Sequence, residues 1–388
     1  FKEQKSDSYS FLWVGNNKSI NSNLLDNKVY PFRSFSGRVN LDVVLLEFNL
    51  SKADPTESDE DVYTEFFVTF DKEIISDPLW IKNHLNNGFD IAFQDSDNYL
   101  NYLSNKGSLN WKKRLSGEIV GDIKQVDIYK NGRQQMVFRT EENLYLLDRN
   151  GNEVKQLSFP INSSLLNNPI SIFDYEKNRN YRFLITEDNL IKMYDSNGKI
   201  VSGFRPPLFD SNIINSPVHI RIDSKDYIVI QLENGGLKIL DRRGRDRVIV
   251  DDKILYSDNP IFSYLENFTT SDKLGNLIKI DTNGNLTEEN LNLSSENFID
   301  IVDNNLVYLN ENRLTIKGIT IDLPFSKFSK PKIFIDSKVM LVGITDFNEE
   351  KIYLYKDNGE LVKGFPIKGN SVIDIQDSDN DGKIEIIS

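Results

Sequence analysis

Three aspartates alternate near the end of the chain, in QDSDNDGKIEIIS: Asp377, Asp379 and Asp381, with Gly382 directly behind them. Carboxylates at every second position of a turn can converge on one point, and the glycine permits the sharp bend. Together with the Lys383 carbonyl and Glu385 they would offer the oxygen cage that calcium takes. The competing reading is an acidic surface turn without an ion, because Asp, Asn and Ser side chains cap nearby backbone amides. The same pentapeptide, QDSDN, stands at 94–98, but only the second copy continues into Asp-Gly. If any stretch of the chain holds an ion, Asp377, Asp379, Asp381 and Glu385 are therefore expected to hold it.

Other chemistry is sparse. There are no cysteines, so neither a disulfide framework nor a thiolate metal site can form. The two histidines, His84 and His219, stand far apart, which excludes a multi-histidine zinc centre; His84 reads as a surface or packing residue. The chain has no G-x-S-x-G elbow, no G-x-x-x-x-G-K-[ST] phosphate loop and no H-E-x-x-H helix. A glycosidase needs two facing carboxylates; the 59 acidic residues are numerous enough to supply a pair, but such abundance mostly makes a solvated surface. The net charge of -13 disfavours nucleic acid, which needs a basic face. One basic cluster interrupts the acidic chain, DRRGRDR at 241–247. Its Arg242, Arg243 and Arg245 are expected at a solvated hairpin tip that could dock an acidic partner surface. GFRPP (203–207) and GFPIKG (364–369) read as connectors.

These residues sit on a repeat. YLSNKGSLNW (102–111), YLLDRNGNEV (145–154), MYDSNGKIV (193–201), ILDRRGRDRV (239–248), IKIDTNGNL (278–286) and YLYKDNGELV (353–362) share one phrase, with a degenerate copy, LTIKGITIDL, at 314–323. Its fixed point is a glycine: Gly107, Gly151, Gly198, Gly244, Gly284, Gly318 and Gly359, at spacings of 44, 47, 46, 40, 34 and 41 residues. Alternating apolar residues ahead of a glycine turn predict a strand, a tight hairpin and a second strand. Two further short apolar runs precede each hairpin, such as 123–129 and 134–140, giving four strands a to d per repeat. Four strands at a period near forty residues predict an all-β fold, a β-propeller of four-stranded blades. A solenoid of stacked hairpins is the alternative. Eight blades are favoured, with seven as the alternative. Strands a and b of a last blade lie at 371–388. Its c and d strands would follow Ser388, or come from the 99–114 hairpin in a seven-bladed ring.

SNKGSLNWKKRL, with Trp111, resembles the repeat of quinoprotein-like (PQQ-like) propellers over roughly residues 88–388. DIYKNGRQQMVF, LYLLDRNGN, FDYEKNRNYRFLIT and SKDYIVI resemble more closely an uncharacterised group of bacterial envelope-associated propellers. The resemblance implies a place in the cell envelope, periplasmic or associated with the outer membrane, as in propeller lipoproteins that serve outer-membrane assembly. It carries no established activity. The acidic turn, with Glu385 in the ninth position, resembles the calcium loops of integrin-like propellers. Ser388 in the twelfth position departs from an EF-hand.

Residues 1–77 do not carry the repeat. Strands are expected at 11–15, 38–50 and 62–70, the last two forming a long hairpin with an acidic tip. They read as the β-rich tail of a preceding domain, with the propeller occupying 78–388 and Pro78 and Gly88 as breakers at the boundary. No apolar run is long enough to span a membrane as a helix. The first residue, Phe1, and the end of the chain within a strand pattern lead to the expectation of a fragment. The functional expectation is a non-enzymatic scaffold for protein partners in a bacterial envelope, possessing no cofactor other than a possible calcium ion. The alternative is a glycan-active or quinone-dependent propeller enzyme.

Overall fold

The computed structural model describes residues 43–48, 62–161, 168–336 and 339–388. The strand expected at 11–15 and the acidic loop tip at 51–61 lie outside these. All regular elements described are strands, in eight antiparallel sheets. In chain order the sheets occupy 79–114, 124–160, 171–194, 218–248, 262–290, 297–322 and 332–368, and the eighth begins at 374–387. Seven have four strands; the third, at 171–194, has three. Its missing outer strand is where Arg205, Pro206 and Pro207 stand. Proline offers no N–H to a ladder, and only a bridge between Tyr194 and Ile200 begins the pairing.

The apolar core is divided among the gaps between sheets, in eight clusters. Ile81, Ala92, Tyr102 and Leu115 meet Met136 and Phe138 between the first and second sheets. Corresponding clusters fill each following gap in turn. The eighth joins Ile387 to Trp80, Ile91, Phe93 and Leu103, which belong to the first sheet. An open stack of eight sheets would have seven interfaces, so the eighth closes a ring: the molecule is a β-propeller, not a solenoid. Strand a of each sheet faces the axis and strand d the rim. Because strands alternate in direction, the a–b and c–d turns share one face. The b–c turns and the connectors share the other.

All seven repeat glycines lie between their two outer strands or bridges with positive φ, from +71° to +92°. Space is a second reason for glycine there. A Cβ on Gly151 would meet the Trp111 ring of the preceding sheet at 3.0 Å, and one on Gly284 would meet the Ile249 carbonyl at 2.1 Å. Trp111 also donates from Nε1 to the Arg149 carbonyl (2.8 Å) and stacks on Tyr102 (4.8 Å), which staples the first sheet to the second. Gly318, in the degenerate repeat, has nothing within 4 Å of such a Cβ.

The eighth sheet corrects the expected domain boundary. Its order, from the axis outward, is Asp374–Gln376, Ile384–Ile387, Val43–Phe48 and Tyr63–Val68. Leu45 pairs with Ile387 and Phe48 with Ile384. The hairpin assigned to a preceding domain thus supplies strands c and d of the last blade. Neither residues after Ser388 nor the 99–114 hairpin takes that place, since 99–114 is already paired within the first sheet. The physical reason is edge satisfaction: strand Ile384–Ile387 would otherwise present an unpaired backbone edge. Gly107 bears the closure contact, its missing Cβ within 2.8 Å of Phe66 and 2.6 Å of Val68 side-chain carbons. Pro78 is not a boundary marker either. It directly precedes strand a, as Pro169, Pro260 and Pro331 do at or near the same point of other sheets.

Candidate functional site

The acidic turn joins strands a and b of the eighth sheet at the seam where the ring closes. The Ser378 carbonyl accepts from the Phe89 N–H (2.8 Å) and from Asn105 Nδ2 (3.3 Å), both in the first sheet. Gly88 is required there, because a Cβ would lie 2.4 Å from that carbonyl. Within the turn, carboxylate oxygens of Asp377, Asp379 and Glu385 come within 4.8 Å of one another. Asp377 Oδ2 accepts from the Gly382 N–H (3.1 Å), while Asp377 Oδ1 is buried without a hydrogen-bond partner among the described residues. Glu385 is 2% exposed and accepts from the Ser378 N–H (2.5 Å). Asp381 stands apart from this group. It accepts from the Lys383 N–H (2.8 Å) and pairs with the Lys383 ammonium (3.3 Å). Three of the four expected carboxylates converge, and the orphaned Asp377 oxygen is what a hard cation would satisfy.

Within the basic cluster, Arg242 is less exposed than expected. Arg242 is held between Glu176 and Asp226 and lies 4.4 Å from the centroid of the Tyr175 ring. Asp226 is buried and also receives His219 Nε2 (2.8 Å) and Arg221 (3.5 Å). Burial pushes the Tyr175 phenol well above its usual range, against the pull of Arg242. Arg245 folds back on Asp241 of its own turn (2.6 Å). Arg243 and Arg245 are both exposed, as expected, but Arg243 alone of the three has no side-chain partner among the described residues, and its carbonyl accepts from the Arg205 N–H. Two of the three arginines are therefore parts of turn architecture. His84 is a packing residue: its Nδ1 is buried without a partner among the described residues, and burial followed by Arg149 and Arg133 lowers its pKa.

Carboxylates near the axis are tied down by neighbouring backbone. Asp300 accepts from the Ile333 N–H (2.7 Å), Asp374 from the Trp80 N–H (3.0 Å) and Asp77 from the Val372 N–H (2.9 Å). Burial raises the Asp300 pKa, against the Ile333 and Ile301 N–H donors and Lys332. These contacts link one sheet to the next. The opposite, connector face carries an open pocket of about 300 Å³, with a floor of Phe298, Leu309 and Phe328. Sequence reasoning missed it, because connectors have no period to read. It also missed the Tyr175–Asp226–Arg242 cluster, whose members come from two different sheets.

No protein-family model matches the chain, and no curated protein matches it. Among solved structures, the computationally designed Ika8 protein superposes with a TM-score of 0.55 at 14% identity, over 81% of this chain and 95% of that one. BamB from Moraxella catarrhalis superposes with a TM-score of 0.50 at 15% identity, over 81% of this chain and 97% of that one. At these identities the likeness is one of fold. BamB is a PQQ-like β-propeller, and this chain shares the propeller architecture.

Proposed function

We propose that the protein is a non-enzymatic propeller scaffold that binds protein partners in a bacterial cell envelope, as a subunit of an assembly or secretion complex. The observation that carries this reading is the state of the axial carboxylates. Asp300 and Asp374 each accept an N–H from a strand of the next sheet and Asp77 accepts one from the connector at Val372, so none of these three forms a free facing pair such as glycoside hydrolysis requires. The shared architecture with BamB supports the envelope setting, and no described helix is long and apolar enough to cross a membrane. Calcium belongs to the same proposal. At Asp377, Asp379 and Glu385 it would neutralise clustered carboxylates and stiffen the seam between the eighth and first sheets. The test is cross-linking of the tagged protein in intact cells, followed by fractionation and identification of adducts. Recurrent envelope-protein adducts are expected. A protein that fractionates with the cytosol, or forms no specific adduct, overturns the reading.

A further inference from the structure

We propose that the pocket on the connector face, between the sixth and seventh sheets, receives an extended segment of a protein partner in which an apolar side chain is flanked by arginine or lysine. This rests on the scaffold reading and names the docking face and the partner's chemistry. The floor is apolar, from Phe298, Leu309 and Phe328. Phe325 stands at the rim with 89% of its surface exposed, the most exposed large apolar residue described. Its exposure is not slack in the connector. Ser326 donates to Asp346, which is fully buried, Phe347 N–H donates to the Lys327 carbonyl (2.9 Å), and Ser329 N–H donates to the Thr345 carbonyl (2.8 Å). The connector is thus pinned to strand b of the seventh sheet on both sides of Asp346, and Phe325 is held outward.

Charge selects the occupant. Glu296 and Glu311 line the pocket, are exposed, and have no side-chain partner among the described residues. Lys327 is the single cation in the lining. Two free carboxylates against one ammonium, in a chain of net charge -13, repel an acidic segment and attract a basic one. The volume is at the lower bound of small-molecule sites, which suits one anchoring side chain rather than a cofactor. Leu208, Leu255 and Leu274 lie exposed on connectors and a b–c turn of the same face, where a longer segment or the body of the partner can rest.

The full chain is titrated with two labelled peptides, acetyl-GRLRLG-amide and its acidic counterpart acetyl-GDLDLG-amide, by fluorescence anisotropy. The basic peptide is expected to bind at least roughly tenfold more tightly than the acidic one. Phe325→Ser should weaken it by about tenfold, and Glu296→Lys with Glu311→Lys should reverse the preference. These are surface substitutions, and an unchanged melting temperature shows that each variant folds. Equal binding of the two peptides, absence of binding, or indifference to the charge reversal overturns the proposal. A photo-cross-linking amino acid in place of Phe325, and separately in place of Arg243 on the opposite face, separates the two readings in cells. Adducts from Arg243 without adducts from Phe325 leave the scaffold standing and remove the pocket; adducts from neither remove both.

Discussion

The turn at Asp127 and the turn at Asp377 are the same piece of backbone with different neighbours. In each, an aspartate opens the a–b turn, the residue three places on is left-handed (Lys130, φ 56°; Asn380, φ 66°), and so is the glycine five places on (Gly132, φ 80°; Gly382, φ 88°). In each, Oδ2 of the aspartate accepts the glycine N–H, at 2.7 and 3.1 Å. The third sheet repeats the form at Asp174, with Lys177 and Arg179 in the left-handed positions. What differs is the positive charge. Arg179 reaches Asp127 across the sheet gap at 2.7 Å, and Arg242 reaches Glu176, two places after Asp174. At the closing seam no guanidinium among the described residues is paired with Asp377 or Asp379, and three carboxylates gather there instead. A shared local conformation thus becomes an ion-pair staple in one gap and a candidate cation site in another, according to what the next sheet brings.

The largest expected effect tests the seam. At calcium a hundredfold above its dissociation constant, mass action stabilises the folded chain by ~2.7 kcal/mol, and a chelator should reverse it. Thermal unfolding with and without calcium, beside calorimetry, checks this; Asp379→Ala should remove both the heat and the shift. No binding at millimolar calcium would return the turn to an acidic cap. Next comes the staple. Arg179→Ala leaves the buried Asp127 carboxylate without its cation, at a cost of ~2 kcal/mol, less than for a fully buried pair because the arginine side chain is 48% exposed. Urea unfolding reads that loss. Calcium should not restore it, because Tyr129 and Asn131 stand where Asp379 and Asp381 stand in the other turn. Rescue by calcium would break the comparison.

Local chemistry was legible and long-range partnership was not. Each hairpin glycine announced itself through its positive φ, and at all but Gly318 a close neighbour also demands glycine, as at Gly151 against Trp111. The strands of the 38–70 hairpin were also legible. Their partner, Ile384–Ile387, stands more than 300 residues later, and nothing in either alternation names the other. Arg242 read as a tip because its turn is polar. It is instead held down by Glu176 and Asp226, one of them in another sheet. Of the candidate metal ligands, Asp377, Asp379 and Glu385 lie together, but the alternation could not foresee that Asp381 would pair with Lys383 instead.

That side contact gives a smaller prediction. Asp381→Ala should leave the calcium response intact and cost about 0.5 kcal/mol or less, as for an exposed ion pair. Loss of the calcium shift in that variant would place Asp381 among the ligands after all.

The smallest effect belongs to a third way of satisfying a turn aspartate, with neutral donors only. Asp281, in the c–d turn of the fifth sheet, accepts from Asn285 Nδ2 (2.8 Å) and the Asn285 N–H (2.9 Å), and from the Asn283 N–H (2.8 Å). The Asn285 side chain and backbone, then Asn283, hold its carboxyl down to about 2. The unfolded chain protonates near the ordinary aspartate value, so the folded state binds the proton less readily. The stabilising contribution is therefore complete above that ordinary value and is lost as pH falls toward 2. Asp281→Asn should lower the melting temperature slightly at pH 6, and the gap from the parent chain should close between pH 5 and pH 2. A gap that stays constant across that range would mean that shape, not charge, is what the asparagines read in the turn.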